Sequence, residues 1–150
     1  MEKLKKINII LLLLWIILIF GFSQDSGDVS SVKSDGIANV IINIVSDITG
    51  KNLDIDICTF IIRKIAHFTE YMILGLLVIN VIKDYKTIDT KVLIISILLC
   101  FIYACSDEIH QLFVSERSGR ITDILIDTAG SFVGIFIYYK KYKKRKLKNI

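Results

Sequence analysis

Four apolar blocks dominate the chain, at residues 7–23, 57–82, 92–114 and 121–139. Each is close to the roughly 20 residues that carry a helix through about 30 Å of hydrocarbon. In that medium every backbone donor and acceptor must be satisfied internally, which leaves helices or a closed barrel. Long unbroken apolar runs without alternation select helices. The 53% hydrophobic content and mean hydropathy of +0.60 exclude an ordinary soluble domain. Four spans in 150 residues leave no room for a second domain. The expectation is therefore one all-α domain over residues 1–150, an integral membrane four-helix bundle. With no proline present, no span is expected to kink for want of a backbone donor.

The first block follows Lys3, Lys5 and Lys6, an arrangement that a cleaved signal peptide would share. It ends in Gly21-Phe22-Ser23-Gln24 without a small-x-small cleavage site, so a retained span is expected. Residues 25–56 are polar at both ends. Between them Ile37, Val40, Ile41, Ile44, Val45 and Ile48 recur at helical spacing opposite Asn39, Asn43, Ser46 and Asp47. This predicts a short amphipathic helix in the first external segment, either packed on the bundle or lying in the membrane interface. Gly50-Lys51-Asn52 should end it.

Basic residues are retained on the cytoplasmic side of a membrane. Three lie in the amino-terminal stretch, three in the 83–91 loop and seven in the basic tail at 140–150, together 13 of the 19 Lys and Arg. Both termini are thus expected in the cytoplasm, with segments 25–56 and 115–120 outside, in a multi-pass protein of the cell membrane. The tail reads as a topology determinant that attracts anionic lipid, and nucleic acid is not an expected partner. Cys58, Cys100 and Cys105 are odd in number and lack metal-ligand spacing. Cys58 and Cys105 fall towards one membrane face, but nothing in their spacing requires a bridge.

The second span is interrupted by Arg63-Lys64-Ile65-Ala66-His67-Phe68-Thr69-Glu70-Tyr71. Steps of three and four residues return to one helix face, so Arg63, His67 and Glu70 share a stripe with Lys64 and Tyr71 beside it. Ionisable groups in hydrocarbon cost several kcal/mol unless they face a protein interior or a wet cavity. Partners are available in Ser106-Asp107-Glu108-Ile109-His110-Gln111 and from Arg117 and Arg120 through Asp123 and Asp127. At 1.5 Å per residue, all three stretches reach the outer half of the bilayer in the expected topology. On the third helix Asp107, His110 and Gln111 share a face, with Glu108 turned about 100° away. On the fourth, Asp123, Asp127, Gly130 and Gly134 share a face, and the glycines would admit a close helix.

Guanidinium forks suit phosphate or carboxylate. Histidine beside carboxylate suits general acid/base work. The acids and histidines also offer donors to a divalent cation, although no H-x-x-x-H or comparable signature is present. In an enzymatic reading, His67 and Glu70 form the acid/base pair, with Asp107 or His110 facing them. Arg63, Arg117 and Arg120 would hold an anionic group, with Lys64, Tyr71 and Gln111 beside it. Asp123 and Asp127 would position the arginines or a cation. The bland alternative is a buried ion-pair network that fixes helix register.

The three stretches together, Arg63-Lys64-x-Ala66-His67-Phe68-x-Glu70-Tyr71, Ser106-Asp107-Glu108-Ile109-His110-Gln111 and Arg117-Ser118-Gly119-Arg120-x-x-Asp123-x-x-x-Asp127-x-x-Gly130, resemble the VanZ-like family in order and spacing. Trp15 through Gln24 resembles that family's first span. Family members often carry proline-glycine before the arginine, where this chain has Ser115-Glu116. The family is named for a membrane protein of glycopeptide-resistance clusters that raises resistance to teicoplanin. The resemblance implies a bacterial membrane protein that binds or acts on a cell-envelope lipid or lipid-linked precursor at the outer leaflet. A small transporter or proton-coupled carrier is the alternative, along with a non-catalytic structural accessory protein. The inner half, through Ile73–Ile79 and Val92–Leu98, offers almost no polar groups to a transport path.

Overall fold

In a computed structural model that describes residues 2–51 and 53–148, the chain forms five helices. They are α1 (Glu2–Ser23), α2 (Gly27–Thr49), α3 (Ile55–Ile82), α4 (Thr90–Gln111) and α5 (Ile121–Lys148). All but α2 are long and apolar enough to cross a membrane. The described residues contain no strand, and the architecture is the expected all-α membrane helix bundle.

Local chemistry explains where most helices begin. The Ser26 side chain caps α2 by accepting from the Val29 amide. Asp54 does the same for α3 through the amides of Asp56 and Ile57, and Asp89 for α4 through Val92. Gly50 closes α2 in the left-handed region at φ 69°, which a residue without Cβ adopts without strain.

Several boundaries differ from the sequence expectation. The third span was expected to reach residue 114 but stops at Gln111, because Leu112–Val114 fold back in turns on the carbonyls of Ile109, His110 and Gln111. The fourth does not end at 139: helix continues through the basic segment to Lys148. The amphipathic helix is not short, since it spans 23 residues. Its small residues Gly27, Ser34 and Ala38 are buried against the bundle, while Ile37, Val40, Ile44 and Ile48 point outward. That outward apolar stripe matches an interfacial helix rather than one whose apolar face packs on the bundle. Asn52 of the expected helix stop, and residues 149–150 of the expected tail, lie outside the described residues. All three cysteines are unbridged.

Helix α3 is the hub, touching α1, α2, α4 and α5. Its Leu74, Val78 and Ile79 form the core with Ile19, Cys100, Ala104 and Ile135. The tightest contact is with α5. A Cβ on Gly130 would collide with the Phe68 carbonyl, one on Gly134 with the Met72 carbonyl, and one on Gly75 with Ser131. The glycines expected to admit a close helix therefore do so. At one end of the bundle Asn8 donates to Asp84 and Tyr138 to Asn80, which joins the start of α1, the α3–α4 turn and the later part of α5. The opposite end gathers the α1–α2 corner, the first turns of α3 and the loop between α4 and α5. The polar cluster sits there.

Candidate functional site

Two adjoining cavities open at that end. One, of about 180 Å³, lies among α1, α2, α3 and α4 and reaches Ile19, Glu70 and Asp107. The other, of about 350 Å³, lies between α2, α3 and the start of α5, by Lys64, Arg120 and Asp123. Arg63, His67, Gln111 and Arg117 border both. Residues from all three charged stretches thus converge on one polar chamber.

The four cations that the charged stretches bring to the chamber are differently employed. Lys64 forms an ion pair with Asp123, mostly buried on both sides, that joins α3 to α5. Arg117 donates Nε to the Asp25 carbonyl at 3.0 Å and Nη2 to the Phe22 carbonyl at 3.2 Å, which clamps the α1–α2 corner. Burial, with Arg63 nearby, lowers the pKa of its guanidinium, which stays charged at physiological pH all the same. The Arg120 side chain donates to Ser118 at 3.1 Å, and its amide to Glu108. Arg63 differs from the other three. It is half-buried, lines both cavities and has no hydrogen-bond or ion-pair partner among the described residues.

The loop that carries Arg117 resolves the missing proline-glycine. Glu116 adopts φ 59°, the left-handed conformation that glycine takes without cost. The amide of Gly27 meets the Ser115 carbonyl at 3.1 Å, and Gly27 fits so tightly against Glu116 that a Cβ there would collide with its carbonyl. The turn is held by packing where the residue type disfavours it.

Beneath the arginines lie the acids and histidines. His67 was expected to pair with Glu70, one turn away. Instead its Nδ1 lies 3.3 Å from Asp127 Oδ1, across the α3–α5 contact, and Asp127 is the carboxylate within ion-pair distance of the ring. The approach is not aligned for a hydrogen bond, so Nδ1 and both Asp127 oxygens are buried without one. Glu70 lines the smaller cavity, and its backbone carbonyl accepts from Trp15 Nε1 at 2.9 Å. Asp107 is buried beside Gln111, which donates to it at 3.3 Å, and both line the smaller cavity.

Three expected site residues line neither cavity: His110, Tyr71 and the fully buried Asp127. His110 shares no cavity surface with Asp107 and Gln111; its ring packs on Phe20 at 4.8 Å between centroids. Tyr71 is fully buried in the apolar core, 6.1 Å from the Tyr103 ring. One residue set aside by helix geometry belongs to the cluster after all. Glu108 is almost fully buried, and its Oε2 accepts from the Arg120 amide at 2.8 Å. Helix α2 also contributes wall residues that the charged stretches did not announce, including Ser34 and Lys33, and Asp35 accepts from Thr59 at 2.7 Å.

The chamber can hold an anion against Arg63, and its deep carboxylates can accept a proton or a cation. No curated protein and no solved structure matches the chain. The VanZ/LLP1 family model matches residues 8–142, which include all three charged stretches, the second and third spans and most of the first and fourth. The chain therefore belongs to the VanZ/LLP1 family.

Proposed function

We propose that this VanZ-family membrane protein binds a cell-envelope lipid or lipid-linked precursor through its anionic head group at the outer leaflet, and that it raises resistance to teicoplanin-type glycopeptides. The observation that carries the reading is Arg63. A half-buried arginine bordering two cavities, with no hydrogen-bond or ion-pair partner among the described residues, suits an anion from outside the chain. The larger cavity supplies the polar volume for a head group, and the outward apolar stripe of α2 gives acyl chains a neighbouring surface. The basic residues of the amino terminus, the 83–91 loop and the tail favour an orientation with the chamber on the outer side.

The carrier reading fares worse. Beyond the chamber the interior holds Leu74, Val78, Ile79, Cys100 and Ile135, and the buried hydroxyls of Ser96 and Ser131 are engaged by backbone carbonyls, which leaves little polar path to the other leaflet. Expression in a sensitive Gram-positive host should raise the inhibitory concentration of teicoplanin, and Arg63→Gln should remove the gain at equal membrane abundance. An unchanged inhibitory concentration across several expression levels would remove the resistance claim.

A further inference from the structure

We infer that His67, Glu108 and Asp127 form a binding site for one divalent transition-metal ion of the Zn²⁺ or Mn²⁺ class. The three residues come from α3, α4 and α5, and one ligand atom from each lies within 4.8 Å of the other two. A metal with bonds of about 2.1 Å holds tetrahedral ligands roughly 3.4 Å apart. The His67 Nδ1 to Asp127 Oδ1 separation of 3.3 Å already has that span. The remaining separations, within 4.8 Å, would shorten by up to about 1.4 Å around an ion.

Unmet demand is the second, independent sign. His67 Nδ1, Glu108 Oε1 and both oxygens of Asp127 are buried with no hydrogen-bond partner among the described residues. Asp127 has no exposed surface at all, and Glu108 is 3% exposed. Leaving such donors and acceptors unmet costs about 1–3 kcal/mol each, more for charged groups. Lys64 is committed to Asp123 and Arg117 to backbone carbonyls, which leaves the His67 ring as the protein group within ion-pair distance of Asp127 among the described residues. The Arg120 amide holds Glu108 by Oε2, which fixes the carboxylate with Oε1 free for a ligand.

The donor set selects the ion. Two carboxylates balance a divalent charge, and one imidazole nitrogen turns the preference away from Mg²⁺ and Ca²⁺, which take oxygen ligands. Three protein ligands leave at least one coordination position for water or an anionic oxygen. His67 also borders both cavities, so the ion lies one side chain from the chamber. The rival occupant is a proton shared between the acids.

The full chain, purified in detergent and washed with chelator, would be titrated with Mn²⁺ under electron paramagnetic resonance and with Zn²⁺ by calorimetry. Expected are one equivalent bound per chain and, in pulsed resonance, coupling of Mn²⁺ to an imidazole nitrogen. Asp127→Asn and His67→Gln should each weaken binding at least 100-fold, while His110→Gln leaves it unchanged. If a variant fails to accumulate, the nitrogen coupling of the wild-type protein decides alone. Absence of stoichiometric binding, loss of the nitrogen coupling, or its persistence in His67→Gln would overturn the assignment. The titration contains no lipid, so its failure leaves the lipid reading standing.

Discussion

At the scale of single residues, the chamber separates charges that hold the protein together from Arg63, which has no hydrogen-bond or ion-pair partner among the described residues. Lys64 and Asp123 belong to the first kind. Lys64→Met should cost about 2 kcal/mol, below the ~3–5 of a fully buried pair because both groups keep some exposure. Pairing it with Asp123→Asn should recover most of the loss, and melting of the detergent-purified variants would reveal whether it does. Glu116→Gly tests the strained turn. It removes a left-handed penalty of roughly 1–2 kcal/mol and adds up to about 1 kcal/mol of unfolded-chain entropy, so melting should hold steady or rise slightly. A clear drop would mean that the Glu116 side chain matters more than its backbone. From the sequence, Arg63, His67, Asp107 and Asp127 fall at similar depth on three helices, where ionisable groups need a protein interior or a wet cavity. The sequence did not show which of them would meet. Helical spacing orders residues along one helix, whereas the His67–Asp127 approach is decided between two helices. Glu108 was set aside for the related reason that α4 is covered on more than one side: Asp107 faces the smaller cavity while Glu108 faces the start of α5.

At the scale of elements, the α3–α5 contact sets the geometry of everything above it. Gly130 and Gly134 let the two backbones approach until side-chain room disappears, which brings Asp127 to His67. Gly130→Val should therefore cost about 3 kcal/mol or more, since a backbone carbonyl cannot yield as a side chain can. Gly21→Ala meets open space and should stabilise α1 by about 0.5–1 kcal/mol. Equal melting temperatures for both variants would contradict this account of the contact. The spans were legible because helices bathed in hydrocarbon carry long apolar runs. Their ends were less so. The turn that stops α4 at Gln111 depends on backbone hydrogen bonds within a stretch as apolar as a span, Leu112-Phe113-Val114. The continuation of α5 runs through lysines that favour helix but carry no apolar period.

For the whole molecule, the central claim is an anion-binding chamber at the outer face above a dry core. In a cysteine-free background, a cysteine at Ser118 should label from outside the cell and one at Lys86 from the cytoplasm. One at Val78 should resist both reagents. Labelling of Val78 from the cytoplasm would restore the carrier reading. The claim meets its most direct test in the lipids retained by the protein when it is extracted from native membranes and weighed by native mass spectrometry. The wild-type chain should carry a phosphate-bearing anionic lipid or lipid-linked precursor, and Arg63→Gln should lose it while keeping its fold. Identical lipid occupancy in the two proteins, or no anionic lipid in either, would contradict the account.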